Sequence, residues 1–406
     1  MSTASRLLAL TESVLGRGVP LRIRAWDGSE AGPPDAPTLH VRSRRALRRL
    51  LWQPGELGIA QAYVTGEVDV EGGADELARG LRMLWQHARA NELTRPRLSA
   101  RTALLALSLG AVGRRPDAPA SQASLTGKLH TRERDSDAIS HHYDLSNEFY
   151  GLILDESMAY SCGYFGDAST DLADAQSAKL DLICTKLDLQ PGMRLLDVGC
   201  GWGSLTVHAA QEYGVQVLGV TISAQQRELV EKRIAEQGLA DRVEVRLQDY
   251  RTLAERPFDA VASIEMGEHV GEGNYPTYAS MLFRSLKPGG HLLLQQMSRR
   301  ADAAPGGGPF IESYIAPDMH MRPLPATLAL LEEAGFEVRG VQAMREHYVT
   351  TVAHWLDTFE RNYDAAVGMV GEEVARVWRL YLVGGGLSFE EGRMGVDQVL
   401  ARRPVA

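Results

Sequence analysis

The sequence predicts a doubly wound, mostly parallel α/β sheet of seven strands with helices on both faces, preceded by a smaller mixed domain. Three observations predict it. From about residue 137, short apolar runs alternate with helical patterns, as parallel strands joined by crossover helices do. One run, 193–198, ends in the glycine-rich turn Gly199-Cys200-Gly201-Trp202-Gly203. The chain of 406 residues also exceeds the ~250–300 at which a single hydrophobic core stops growing.

Residues 1–87 read as the smaller domain, with strands at 21–26, 38–41 and 67–70 and a helix at 46–52, separated by Gly and Pro. Residues 88–136 read as a basic helical linker, whose stretch 114–124 carries Pro116, Pro119 and small residues. Residues 137–406 form the main domain. Its strands are expected at 193–198, 216–221, 243–247, 258–264 and 291–295, with helices at 204–213, 224–237 and 275–286. In such a sheet, ligands gather at the carboxyl ends of the strands beside the switch point.

Composition narrows the class. Cys162, Cys184 and Cys200 lack CxxC spacing, which argues against disulfides or structural zinc and fits a cytoplasmic protein. The first 18 residues lack the apolar core of a secretory leader, and the apolar stretch 103–113 is roughly half the ~20 residues a spanning helix needs. The net charge is −9, yet Arg42, Arg44, Arg45, Arg48 and Arg49 crowd one segment, followed by Arg95, Arg97, Arg101, Arg114, Arg115, Lys128, Arg132 and Arg134. A basic front on an acidic body suits an anionic membrane surface, and is also how an ordinary solvated face reads. No aromatics interleave with these arginines, so a nucleic-acid partner is not expected.

The segment Leu195-Leu196-Asp197-Val198-Gly199-Cys200-Gly201-Trp202-Gly203 is the most informative. Its spacing is G-x-G-x-G, not the dinucleotide G-x-G-x-x-G. The end of the second strand, Thr221-Ile222-Ser223, offers no carboxylate for a ribose. The pattern resembles motif I of class I S-adenosylmethionine methyltransferases. That resemblance extends to Gln248-Asp249-Tyr250 after the third strand and Leu286-Lys287-Pro288-Gly289-Gly290 before the fifth. It implies S-adenosylmethionine as cofactor, contacted by Tyr143, Ser161, Asp197, Gly199, Cys200, Gly201, Gly203, Thr221, Gln226 and Asp249.

Further segments choose the acceptor: His141-His142-Tyr143-Asp144-Leu145-Ser146-Asn147, Tyr160-Ser161-Cys162-Gly163-Tyr164-Phe165, Gly219-Val220-Thr221-Ile222-Ser223-Ala224-Gln225-Gln226 and Glu265-Met266-Gly267-Glu268-His269-Val270-Gly271. With Phe310-Ile311-Glu312-Ser313-Tyr314-Ile315 and His347-Tyr348-Val349-Thr350-Thr351, they resemble the cyclopropane-fatty-acid synthase family over residues 137–395. The likeness reaches the front domain through Gly55-Glu56-Leu57-Gly58-Ile59-Ala60-Gln61-Ala62-Tyr63. It implies methyl transfer to the double bond of an unsaturated phospholipid acyl chain. The carbocation so formed needs shelter from water, then a base. In cyclopropane synthases a bound bicarbonate is thought to be that base, held by the positions matching Cys162, Glu268 and Tyr348. Tyr143, Tyr164, Phe165 and Tyr314 become candidates for the cation and acyl pocket. Read singly, Cys162 is a buried small hydrophobe, Glu265 and Glu268 a cap or ion pair, and Tyr348 packing. The histidines match a metal set by residue type alone, and the family implies no metal.

Two positions depart from the family. Gln295 stands where a histidine usually helps to hold bicarbonate, and an amide supplies neither charge nor titration near neutral pH. Gly267 stands where many synthases have a bulky aromatic residue. These features, with the C-terminal Phe389-Glu390-Glu391-Gly392-Arg393-Met394-Gly395-Val396-Asp397, resemble the branch making tuberculostearic-type acids. The expected product is a 10-methylene chain for a partner reductase, with a cyclopropane as the other outcome. Family habit implies a homo-oligomer, peripheral on the inner membrane face. The rival readings are a small-molecule N-methyltransferase and an inactive lipid-binding homologue.

Overall fold

The computed structural model describes residues 1–92, 100–123, 131, 134, 145–166 and 171–405. These divide into two compact units: 1–122 with 360–387, and 123–359 with 388–406. The expected boundary at residue 87 is not where this division falls. The described part of the 88–136 stretch joins the first unit as far as Gln122, and so does the late segment 360–387.

In the first unit, α1 (Thr3–Leu15) precedes β1 (Arg22–Ala25), β2 (Glu30–Ala31) and β3 (Thr38–Val41). Then come α2 (Arg44–Trp52), α3 (Glu56–Val64), β4 (Val68–Val70), α4 (Gly73–Ala90) and α5 (Ala100–Ser108). The strands form one sheet in the order β2-β1-β3-β4. Ala4, Leu7, Ile23, Val41, Leu47 and Ala62 pack as its apolar core. Ser43 starts α2 by accepting a hydrogen bond from the amide of Arg45, satisfying a donor that the first turn leaves open. The arginine cluster is less free than its composition suggests. Buried Arg49 pairs with Glu67 at 2.9 Å, Arg45 with Glu67 at 3.3 Å and Arg42 with Asp69 at 2.7 Å.

The second unit opens with α6 (Asn147–Gly151) and α7 (Leu172–Lys186). The alternating pattern follows: β5 (Arg194–Val198), α8 (Ser204–Glu212), β6 (Gln216–Thr221), α9 (Ala224–Glu236), β7 (Val243–Leu247), β8 (Phe258–Ile264), α10 (Tyr275–Ser285) and β9 (Leu286–Arg299). After α11 (Pro309–Tyr314) and α12 (Leu324–Glu333) come β10 (Glu337–Ala343), α13 (Arg345–Arg361), then α14 (Tyr363–Glu390, broken at Gly371), which as far as Leu387 belongs to the first unit, and β11 (Met394–Arg402). The seven strands order as β10-β11-β9-β8-β5-β6-β7, with β11 antiparallel to both neighbours and the other pairs parallel. The chain winds outward from β5 through β6 to β7, then returns beside β5 as β8. The switch point therefore lies between β5 and β8, and a ligand crevice opens at their carboxyl ends. Leu195, Val217, Ala260 and Leu293 fill one face of the sheet, and Leu196, Val220, Val261 and Leu294 fill the other. Burial on both faces explains why these strands read as continuous apolar runs.

Candidate active site

The glycine turn leaves β5 with Gly199, Gly201 and Gly203 at φ +76°, +53° and +81°, a region costly for residues bearing a Cβ. At Gly199 a Cβ would lie 2.9 Å from Met266 Cγ. The amides of Gly199 and Cys200 donate to the Val220 carbonyl at 2.9 and 3.1 Å, tying the turn to β6. The crevice beyond holds about 1360 Å3 of atom-free space including its mouth. Of the ten expected cofactor residues, eight line it: Ser161, Asp197, Gly199, Cys200, Gly201, Thr221, Gln226 and Asp249. Gly203 lies off the lining and starts the helix that follows the turn. Tyr143 lies outside the described residues, as do His141 and His142.

The wall suits a cationic sulfonium. Asp197 is buried and accepts the Thr206 hydroxyl at 2.7 Å. Burial pushes its carboxyl up to about 6, and Thr206 and Lys179 act the other way. Thr221 donates to Gln226 at 2.8 Å, and Asp249 pairs with Arg251 at 2.6 Å. Four carboxylates, Asp197, Asp249, Glu265 and Asp318, face this crevice against the cations Lys179 and Arg251. The residues present fit S-adenosylmethionine.

Glu265, which by sequence alone reads as an ion pair or cap, is the centre of a second cluster. It follows β8 at φ +51°, a left-handed geometry that costs a residue with a Cβ roughly 1–2 kcal/mol. Its half-buried carboxylate lines the crevice and takes three hydrogen bonds. The Cys162 amide donates to Oε1 at 2.8 Å, Gln295 Nε2 to Oε1 at 2.7 Å, and the Tyr348 hydroxyl to Oε2 at 2.7 Å. Burial raises this carboxyl above its usual range, while the three donors and Lys179 hold it down. Cys162 contributes its backbone, because burial holds its thiol far above the thiolate range.

The structure thus brings Cys162, Gln295 and Tyr348 together, but around Glu265. Glu268 sits apart in the turn 267–269, buried, with Oε2 lacking a hydrogen-bond partner among the described residues. Burial first and the Glu265 charge second push it up to about 8. The donors expected to hold bicarbonate are bonded to a side chain, so the cluster does not fit a free anion. Gly267 has a steric reason as well: a Cβ there would lie 2.1 Å from Gln296 Oε1, whose amide bridges Tyr275 and Thr327. Tyr164, Phe165 and Tyr314 lie off the crevice lining. Tyr164 and Phe165 pack on His347 and His354, and Tyr314 on Phe310.

Two further residues were missed. Lys179 on α7 is buried, lines the crevice and donates to Ser161 Oγ at 3.0 Å. Its signal was available, since Gln176 and Lys179 interrupt the stripe Leu172, Ala175, Leu180, Ile183 at helical spacing. Gln398 on β11 donates to Gln295 Oε1 at 2.9 Å and accepts from Lys186 Nζ at 2.6 Å. The amide of Gln295 is thereby turned with its NH2 toward Glu265.

Comparison with known proteins gives the family. Residues 130–399 match the model of the mycolic acid cyclopropane synthetase family. The chain belongs to that family. A probable fatty acid methyltransferase of Mycobacterium tuberculosis is 38% identical over 395 residues, covering 95% of this chain and 91% of the relative. A tuberculostearic acid methyltransferase of the same organism is 33% identical, covering 97% and 90%. Among solved structures, the mycolic acid cyclopropane synthase CmaA1 with S-adenosylhomocysteine is 32% identical at a TM-score of 0.63. That match spans 68% of this chain and all of CmaA1. This member of the cyclopropane synthetase family is an S-adenosylmethionine-dependent C-methyltransferase, as its crevice implied.

Proposed function

We propose that this methyltransferase alkylates the cis double bond of an unsaturated acyl chain carried by a membrane phospholipid, giving a 10-methylene chain for later reduction or a cyclopropane. The observation that carries this reading is the Glu265 cluster on the wall of the cofactor crevice. A carbocation left by an alkylated alkene needs an anion at hand and little water. Glu265 supplies the anion, and Tyr160, beside Trp202 and Trp355, supplies an aromatic wall. The relatives named for fatty acid and tuberculostearic acid methylation support the acyl acceptor, and both match nearly the whole chain.

The front unit is the proposed membrane-docking module, peripheral on the inner face. Arg44, Arg48 and Trp52 share one face of α2 and run along the segment 110–113. Leu51, Trp52 and Val112 are more than half exposed, with Arg114 and Arg115 exposed next to them. Exposed apolar side chains among arginines that form no ion pair among the described residues suit an anionic bilayer. No described helix is long and apolar enough to cross one. A homo-oligomer and a partner reductase complete the proposal.

The test is incubation with S-adenosylmethionine and dioleoyl phosphatidylglycerol vesicles, followed by gas chromatography of fatty acid methyl esters before and after hydrogenation. A product that gains one CH2 and becomes a methyl branch on hydrogenation supports the methylene product, and a hydrogenation-resistant product supports the ring. No mass gain on the acyl chains overturns the reading.

A further inference from the structure

Resting on the acyl-methylation reading above, we infer that Glu265 is the built-in base of the reaction and occupies the anion position, so that this chain works without bicarbonate. The three groups suited to hold a planar oxyanion, the Cys162 amide, the Gln295 amide and the Tyr348 hydroxyl, all point at the two oxygens of Glu265. Gln295 cannot turn to serve another acceptor, because Gln398 holds its carbonyl oxygen. An additional anion would have to displace Glu265 and then lie beside that carboxylate. It would also enter a crevice in which the two lining cations are already engaged, Arg251 with Asp249 and Lys179 with Ser161, while Arg134 is committed to the lining carboxylate Asp318. Backbone geometry agrees: at φ +51° glycine is the unstrained choice, and the chain carries a glutamate there.

The chemistry balances with the parts present. The alkene π pair takes the methyl from the sulfonium, so a carbon–sulfur bond breaks, a carbon–carbon bond forms, and a thioether and a carbocation remain. Glu265 then removes one proton. For a ring, that C–H pair closes the third carbon–carbon bond; for a methylene, a hydride shift first moves the charge to the methylated carbon, and the pair becomes the new double bond. The proton rests on Glu265 and leaves to water when the crevice opens.

Two measurements test this. Full-length protein, wild type, Glu265→Gln and Glu265→Gly, is assayed with dioleoyl phosphatidylglycerol vesicles in buffer stripped of carbon dioxide, with and without added bicarbonate. Independently, binding of 13C-bicarbonate is read by carbon NMR line broadening, and calorimetric S-adenosylmethionine affinity shows that each variant keeps its crevice. We expect wild-type activity to be unaffected by bicarbonate. Glu265→Gln should lose about 100-fold or more in kcat, the usual worth of a positioned base. Glu265→Gly, which relieves the strained backbone and vacates the anion position, should bind the labelled bicarbonate and regain activity when it is added. Several-fold bicarbonate stimulation of the wild type, bicarbonate binding to the wild type, or near-full activity of Glu265→Gln would each overturn the inference. If wild type methylates no lipid under any condition, the acyl reading fails, and the NMR comparison still decides whether Glu265 fills the anion position.

Discussion

At the residue scale, the charge of Glu265 depends on Lys179. The buried ammonium lowers the carboxyl that burial raises. Removing it in Lys179→Met should move the acid limb of the pH–rate profile to higher pH, since Glu265 must be ionised to accept a proton. Lys179 therefore acts as a positioning residue, and a purely structural role would lower activity without moving that limb. Glu268 gives the opposite kind of prediction. Its carboxyl is raised from 4.5 to about 8, so between those values the folded state binds more protons than the unfolded state. Stability is then greatest at the acid end of that window and falls as pH rises through it. In Glu268→Gln that decline should be absent, and the melting temperature of the variant relative to wild type should climb steadily from pH 5 to pH 8. A constant difference across the window would show that Glu268 ionises freely in the folded protein.

At the element scale, β11 does more than complete the sheet. It is the antiparallel strand between β9 and β10, and it carries Gln398 to Gln295 and Asp397 to the Ser298 hydroxyl at 2.6 Å. These buried polar residues kept the strand from reading as an apolar run. β10 escaped notice for another reason, because its residues alternate between exposed and half-buried around Gly340. The relay from Lys186 through Gln398 to Gln295 predicts that Gln398→Leu leaves Gln295 free to flip. Its expected cost is about 1–3 kcal/mol of stability from the unpaired amide, with a fall in kcat and an unchanged S-adenosylmethionine affinity. The glycine turn separates differently. Gly199→Ala adds both the wrong backbone preference and a clash with Met266, so it should abolish cofactor binding, as calorimetry would show.

At the scale of the whole molecule, the first unit bears the lipid-surface prediction. Arg42, Arg45 and Arg49 are committed to Asp69 and Glu67, which leaves Arg44 and Arg48 as the arginines of that cluster for headgroups. The double variant Arg44→Gln, Arg48→Gln should lose ~2 kcal/mol of binding to anionic vesicles, about 30-fold, at roughly 1 kcal/mol per basic residue. The loss should shrink at high salt, and cofactor affinity should be unchanged. Equal sedimentation of wild type and variant with phosphatidylglycerol vesicles would move the docking surface elsewhere.

The amino-acid sequence by itself determined the doubly wound sheet, the cofactor turn and the family. Those features are local: strand and helix periods, a glycine spacing and short motifs each lie within a few consecutive residues. It also named Cys162, Gln295 and Tyr348, which the fold brings together. Only the tertiary structure decided what they surround. Glu265 and Glu268 are three residues apart in one motif, and nothing in their spacing tells which of them the distant donors meet. Residue 265 follows β8 in a left-handed conformation with its carboxylate on the crevice wall, while residue 268 is buried. The pairing of the arginine cluster and the return of 360–387 to the first unit were hidden for the same reason. Charge neutralisation and chain return depend on residues far apart in sequence, and only folding brings them within reach.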